Sequence, residues 1–165
     1  MLQSDGYFDS FDAEKSRSDS IERDIAPSQI PWQEPLPWPL AHQATVQIHA
    51  TCQLRTHGGG WREFSSEEPL QKGMQLRFRA LTNACTPYQV LWQVVNTGHE
   101  ALVAGCSRGE IFGSASAGAG GLWSTTVPEL REESTLYRGR HWIECFILKD
   151  GICVGRSGPF FVVVE

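Results

Sequence analysis

The sequence predicts an all-β fold: an antiparallel β-sandwich, immunoglobulin-like, with a disordered or weakly helical N-terminal tail. Two observations lead to this prediction. After Pro39, short segments in which apolar and polar residues alternate are separated by turn signals. No segment of ten or more residues after Pro39 has the apolar stripe of an amphipathic helix. A small barrel is the alternative architecture.

Composition divides the chain at about residue 31. Residues 1–30 are rich in Ser, Asp and Glu with few aliphatic residues, which favours a disordered tail or truncated linker, with a weak helix near residues 13–24 as the other reading. Residues 31–39 hold four prolines and two tryptophans, which is typical of an extended segment that packs Trp32 and Trp38 on the body. We therefore assign residues 31–165 to one sandwich domain.

Five segments have the length and composition of strands. They are residues 45–54, 74–81, 88–96, 141–149 and 152–164. In the second of them, Leu76 and Phe78 alternate with Arg77 and Arg79, which is the period of a half-buried strand. The last three segments are expected to be the most deeply buried. The predicted core includes Trp92, Val94, Phe146, Val154 and Val162.

Turn residues mark the connections between these strands. Asp150-Gly151, between two apolar runs, predicts a hairpin. A second hairpin signal lies at residues 57–60. The alternating Gly, Ser and Ala of residues 113–121 predict a flexible loop.

Charge and cysteine content exclude several classes of function. Of the 19 acidic and 14 basic residues, residues 1–34 hold 8 acids and 3 bases, so the remaining body is neutral. A neutral body argues against binding of duplex nucleic acid, which needs a broad basic face. No apolar run approaches a membrane span. The 5 cysteines form no CxxC pair and the acidic N-terminus resembles no signal peptide, so we expect reduced thiols, no metal site and a cytoplasmic protein.

Special residues concentrate in four ordered motifs. They read W-Q-V-V-N-T-G-H-E-A at 92–101, R-G at 108–109, E-E-S-T-L-Y-R-G-R-H-W-I-E-C at 132–145 and C-V-G-R-S at 153–157. Together they resemble the adenylyl/guanylyl and SMODS C-terminal sensor domain, which follows nucleotidyltransferases in bacterial antiphage systems based on cyclic oligonucleotides. One departure is Cys106-Ser107 before Arg108, where the family pattern has an aliphatic residue.

The resemblance implies a ligand-sensing domain for a nucleotide-like small molecule, with no catalytic activity and no cofactor of its own. The alternative that it leaves open is a regulatory or interaction module that docks on a separate nucleotidyltransferase. A catalytic nucleotidyltransferase core is not expected, because Gly113-Ser114 is followed by no paired carboxylates. The candidate ligand-binding residues are Asn96, Thr97, Gly98, Glu100, Arg108, Gly109, Tyr137, Arg138, His141 and Arg156.

The residues themselves allow two readings of this site. Asn96-Thr97-Gly98 is turn chemistry, and such a corner either closes the strand or presents N–H groups to an anion. The arginines either form ion pairs at strand edges or bind phosphate; the body has nine arginines and two lysines, which favours phosphate. Tyr137 is a core residue or a stacking platform.

Two polar residues of the third motif are expected to be structural. His141 fits a hydrogen-bonded histidine better than a ligand or a base. Glu144 shares a strand face with Trp142 and Phe146, and a carboxylate among aromatic rings needs a cationic partner. We therefore predict that an arginine bridges to Glu144, or to Glu133.

Overall fold

The computed structural model describes residues 30–54, 59–113 and 129–165, and the structural statements below concern these residues. They form ten strands and one short helix. The strands are β1 Val46–Leu54, β2 Arg62–Glu63, β3 Pro69–Leu70, β4 Met74–Thr82, β5 Gln89–Val95, β6 Ile111–Gly113, β7 Leu130–Ser134, β8 Gly139–Lys149, β9 Ile152–Arg156 and β10 Phe160–Val164. The helix α1, His99–Val103, lies between β5 and β6.

Two sheets face each other across an apolar core. One has the order β2-β1-β4-β7, and the other has the order β3-β10-β8-β5-β6, with β9 also paired to β8. All strand pairs are antiparallel except β3 with β10. The predicted all-β antiparallel sandwich is confirmed, whereas its immunoglobulin-like type stays a prediction.

Alternation along the strands fills the core as the sequence predicts. All five predicted core residues are buried, and Trp92 is fully enclosed. Four of them lie in the main cluster between the sheets. Phe146 instead lies on the outer face of the six-stranded sheet, where it packs with Leu36 and Trp38. This outer face is therefore covered by the chain that precedes β1.

We call residues 30–44, which cover that outer face, the strap. Near its end the strap bonds to β9, where the Val154 carbonyl accepts the N–H groups of Gln43 and Ala44 at 2.9 Å each. At its start, Ile30 is buried against Val95 and Trp142. The extended segment predicted for residues 31–39 thus packs on the body, although Ile30, which composition places in the tail, packs with it.

The turn predictions have different outcomes. Asp150 and Gly151 have φ values of 51° and 76° and join β8 to β9, so this hairpin is confirmed. Residues 1–29, the first half of the signal at 57–60 and all but the first residue of 113–121 lie outside the described residues. The segment 152–164 is two strands rather than one, because it is interrupted at 157–159.

Candidate functional site

A cleft opens between the two sheets where β5 ends and β8 begins. It has a volume of about 400 Å³, which falls within the usual range for small-molecule sites. Four of the ten predicted site residues line it: Asn96, Arg108, Tyr137 and His141. Apolar side chains of both inner faces, such as Phe78 and Ile143, form its floor. The cleft therefore combines an apolar floor with a few polar groups.

The corner after β5 is held by hydrogen bonds to neighbouring elements. The Asn96 N–H donates to the Arg108 carbonyl at 3.1 Å, and the Asn96 side-chain amide donates to the Cys106 carbonyl at 3.1 Å. The Thr97 N–H donates to His141 Nδ1 at 3.1 Å. Because the backbone N–H groups of Asn96 and Thr97 already have acceptors, this corner closes the strand rather than offering those two groups to an anion.

His141 connects this corner to the opposite loop. Its Nδ1 accepts from Thr97, so its Nε2 carries the proton and donates to the Tyr137 carbonyl at 2.8 Å. Burial lowers the pKa of His141 and keeps the ring neutral. With both nitrogens engaged, His141 positions Tyr137 and is the structural histidine that the sequence suggests.

Arg108 belongs to a charged network on the wall of the cleft. Its Nη1 donates to Glu133 at 3.2 Å and its Nε to Glu110 at 3.3 Å. Glu133 also accepts from Arg131 Nε at 2.7 Å. Arg108 Nη2 is buried and has no hydrogen-bond partner among the described residues. A guanidinium whose Nη2 has no acceptor is suited to donate a hydrogen bond to a ligand oxygen.

Tyr137 and Cys106 face each other beside Arg108. The Tyr137 hydroxyl lies 3.1 Å from the Cys106 sulfur, and this contact raises the pKa of Tyr137. Sulfur is a weak acceptor, so a ligand group that accepts more strongly could replace it. The position usually occupied by an aliphatic residue in the family pattern is thus a polar contact here.

Four further predicted residues form a rim beside the cleft without lining it: Thr97, Gly98, Glu100 and Arg138. Glu100 accepts from Lys72 Nζ at 2.8 Å and from the Arg138 N–H at 2.9 Å, and both bonds lower its pKa. The Arg138 side chain is 62% exposed. The rim is held by ion pairs in solvent, which contribute little to stability.

Gly109 and Arg156 lie elsewhere. Gly109 contacts the strap behind the cleft, where an added Cβ would lie 2.8 Å from the Gln33 Cα. Arg156 lies on the outer face of the six-stranded sheet and binds the buried carboxylate of Glu144 at 2.6 Å. The predicted arginine bridges to Glu144 and Glu133 are therefore both present, and the structure does not bring Arg156 to the cleft.

Sequence reasoning missed several cleft residues because it missed strand β7. Glu132 binds Arg77 Nε at 2.6 Å, and the Arg77 guanidinium stacks on the Trp61 ring at 4.0 Å. All three residues line the cleft, as does Glu133. The one available signal was Glu133 in the third motif, which the sequence offers as a bridging partner for an arginine but does not place in the cleft.

Metal ligation and membrane insertion find no support in the described residues. No group of three His, Cys, Asp or Glu side chains in the described ranges is placed to hold a metal ion. In the same part of the chain, no helix is long and apolar enough to cross a membrane.

The fold and the cleft define a β-sandwich domain, with a ligand-sized cavity at one end and a strap across one face. A comparison with family models matches residues 27–165 to the Adenylyl/Guanylyl and SMODS C-terminal sensor domain. The chain belongs to this sensor-domain family. A search of curated proteins gave no match.

Proposed function

We propose that the chain senses a nucleotide or a nucleotide-derived second messenger in the cleft, as part of a bacterial antiphage nucleotidyltransferase signalling system in the cytoplasm. The observation that carries the proposal is Arg108, which lines a cavity of about 400 Å³ and whose buried Nη2 has no hydrogen-bond partner among the described residues. An oxyanion of the ligand would accept from Arg108 in a charge-assisted hydrogen bond. The family supports the sensor role.

Only two predicted residues have groups suited to direct contact. Arg108 offers Nη2, and Tyr137 offers its ring and a hydroxyl whose present acceptor is weak. Asn96 and His141 support them, because the Asn96 side-chain N–H₂ already donates to the Cys106 carbonyl and both ring nitrogens of His141 are occupied. We therefore assign phosphate binding to Arg108, base stacking to Tyr137 and positioning to the other two.

The charges on the cleft wall set a limit on the ligand. Arg108 and Arg131 face Glu133 and Glu110, so the network has no excess positive charge. Glu110 is half-exposed and forms the longest of these contacts, at 3.3 Å, so its place beside Arg108 is the easiest for a ligand anion to take. This arrangement favours a ligand that places one anionic group, and not several, beside Arg108.

We propose no catalytic role for the cleft. Its histidine has no free nitrogen to act as a base.

A second candidate function is docking on a nucleotidyltransferase. The observation that favours it is a set of exposed apolar side chains on α1 and on the loop before β8: Leu102, Val103 and Leu136, exposed by 58%, 72% and 53%. Large apolar side chains in solvent often mark protein interfaces. In this case Leu102→Ser with Val103→Ser would abolish co-elution with the nucleotidyltransferase and leave nucleotide affinity unchanged.

The test is a thermal-shift screen followed by calorimetry with ATP, GTP and cyclic dinucleotides. A ligand at 100 times its Kd stabilises the protein by about 2.7 kcal/mol. Arg108→Ala is expected to weaken binding by about 1.5–3 kcal/mol. Arg79→Ala, an exposed arginine on β4 outside the cleft lining, is the control. Equal affinities of both variants for a bound nucleotide, or no binding of any probe, would reject the cleft as its site.

A further inference from the structure

The residues that form the cleft wall are bonded from behind to the strap. Trp32 Nε1 donates to the Asn96 carbonyl at 3.1 Å. The Glu34 N–H donates to the Gly109 carbonyl at 2.9 Å. Asn96 lines the cleft, and Gly109 directly follows Arg108, which also lines it. Both of these chain segments therefore have a backbone carbonyl that accepts a hydrogen bond from the strap.

A buried glutamine reinforces this junction. Gln93 on β5 is 2% exposed, and its Nε2 donates to the Gly109 carbonyl at 2.6 Å and to the Glu34 carbonyl at 2.8 Å. Its Oε1 accepts from Gln33 Nε2 at 3.2 Å. The Ile111 N–H donates to the Glu34 carboxylate at 2.8 Å. The Gln93 side chain thus holds both the strap and Gly109 to strand β5.

Steric contact makes the junction intolerant of small displacements. A Cβ on Gly109 would overlap the Trp32 carbonyl and lie 2.8 Å from the Gln33 Cα. Any shift of the segment 108–109 toward the strap therefore pushes residues 32–33 outward. Tightly packed contacts of this kind transmit displacements instead of absorbing them.

We propose that the strap is the output element of the sensor: occupancy of the cleft and seating of residues 30–34 are thermodynamically linked, so the ligand state reaches the residues that precede Ile30. The proposal rests on the proposed function, since it assumes a ligand on Arg108. A ligand that moves Arg108 moves Gly109, and with it the acceptor of the Glu34 N–H. By reciprocity, an altered strap changes the affinity of the cleft.

Cys106 provides a reporter of the cleft that needs no ligand. It lines the cleft and bonds to Asn96 and Tyr137. Of the other cysteines, Cys85 alone is exposed and can be replaced by serine, while the remaining three are buried. The rate at which a disulfide reagent labels Cys106 in the Cys85→Ser protein therefore measures the geometry of the cleft.

The experiment compares three strap variants in the full chain. Gly109→Ala pushes the strap away. Trp32→Phe removes the indole donor to Asn96 together with part of the ring, and this variant serves as the test where Gly109→Ala fails to fold. Leu36→Ala loosens the strap at its other anchor, the cluster around Phe146. Both junction variants are expected to raise the labelling rate several-fold, and Leu36→Ala is expected to leave it within error of the parent. Equal effects of all three variants, or no effect of the junction variants, would overturn the linkage.

Hydrogen exchange with ATP, or with another nucleotide that the screen identifies, separates this proposal from the proposed function. Linkage predicts that the nucleotide changes amide exchange in residues 31–36 several-fold. If no nucleotide binds but the junction variants still change Cys106 labelling, the proposed function fails and the structural coupling stands. If a nucleotide binds in the cleft and exchange in residues 31–36 is unchanged, the output role of the strap is wrong and the proposed function stands.

Discussion

Gly98 and Gly139 cross with no space for a side chain on either, and their contact fixes the rim of the cleft. A Cβ on Gly98 would lie 2.5 Å from the Arg138 carbonyl oxygen and 3.2 Å from the Gly139 Cα, and a Cβ on Gly139 would lie 2.8 Å from the Thr97 carbonyl oxygen. Both residues have positive φ, 102° and 139°. The end of β5 and the start of β8 thus meet backbone to backbone.

We expect Gly98→Ala and Gly139→Ala each to reduce the free energy of unfolding by about 2–4 kcal/mol, because backbone strain adds to an overlap with main-chain atoms. Urea denaturation measures the loss. Gly73→Ala is the control, since Gly73 has a similar φ of 84° but nothing within 4 Å of the added Cβ. It should cost only about 1–2 kcal/mol. Equal losses at Gly73 and Gly98 would mean that the crossing is loose.

The sequence predicts β1, β4, β5 and β8, which have seven or more residues, as in β4 with Leu76 and Phe78 facing inward. It also predicts the five-residue strands β9 and β10, but as one longer segment. The strands it misses are short or charged. β7 reads Leu-Arg-Glu-Glu-Ser and gains its strand structure from pairing with β4, and such tertiary pairing leaves no local pattern. Because β7 carries Glu133, the sequence suggests Glu133 as a partner for an arginine but cannot place it opposite Arg108.

The misplacement of Arg156 has a specific cause in the backbone. In the β8–β9 pair, Leu148 is opposite Cys153 and Ile147 is opposite Gly155, so Val154 is an extra residue in the strand. Val154 packs in the core between the sheets. Regular alternation would put Arg156 on the same inner face, but the bulge turns Arg156 outward. The one sequence signal near this bulge is Gly155, because an isolated glycine inside a strand marks either a bulge or a close backbone approach. It does not say which residue is extra, so the motif alone cannot separate Arg156 from the cleft.

The ion pair of Arg156 and Glu144 is expected to be structural. Glu144 is 2% exposed and Arg156 is 39% exposed, so Arg156→Ala would leave a buried carboxylate without its partner. We expect a loss of about 2–3 kcal/mol of unfolding free energy, somewhat below the value for a fully buried pair. Adding Glu144→Gln should restore part of it, and nucleotide affinity should not change.

A matched control for this pair is Arg62→Ala. Arg62 binds Glu68 at the same distance of 2.6 Å, but both side chains are well exposed, so the loss should stay below about 1 kcal/mol. Chemical denaturation of the two arginine variants gives the comparison. Similar losses at Arg62 and Arg156 would show that burial of Glu144 has no energetic consequence.

Stability should fall on mild acidification because of His141. Burial lowers its pKa in the folded protein, so the unfolded chain binds more protons as the pH falls below the ordinary histidine value of about 6.5. The contribution of neutral His141 is therefore complete above that pH and is progressively lost below it, with a slope of at most about 1.4 kcal/mol per pH unit. Glu100, whose pKa is lowered, loses its contribution only below about 4.5.

Urea denaturation between pH 7.5 and 5 tests this prediction. His141→Gln keeps groups that can accept from Thr97 and donate to Tyr137 but does not titrate, so its stability should depend less on pH over this range. An unchanged slope in that variant would assign the acid sensitivity to other groups.

Two N-terminal truncations should show that the strap contributes to stability whereas the tail does not. Deletion of residues 1–29 is expected to change the free energy of unfolding by less than about 0.5 kcal/mol, since their composition offers little apolar surface to bury. Deletion of residues 1–38 also removes Ile30, Leu36 and Trp38 from the outer face, and should cost more than about 3 kcal/mol. Thermal melts of both truncations decide whether the body starts at Ile30.

Arg108 and Arg131, which both bind the Glu133 carboxylate, are expected to have different roles. Arg131 is 9% exposed, lies over the Phe112 ring at 4.3 Å and holds Glu133 through two nitrogens. Arg108 is 21% exposed and holds Glu133 through one nitrogen. The carboxylate therefore keeps a strong partner when Arg108 is removed, but only a weaker one when Arg131 is removed.

It follows that Arg108→Ala should reduce the free energy of unfolding by less than about 1 kcal/mol, while Arg131→Ala should reduce it by about 2–4 kcal/mol. Denaturation curves of the two single variants, with Arg79→Ala as a surface control, provide the measurement. The opposite order of stabilities would make Arg108 the structural bridge to Glu133 and leave no arginine of this network free for a ligand. The expected order leaves Arg108 available for ligand binding, because the fold does not depend on it.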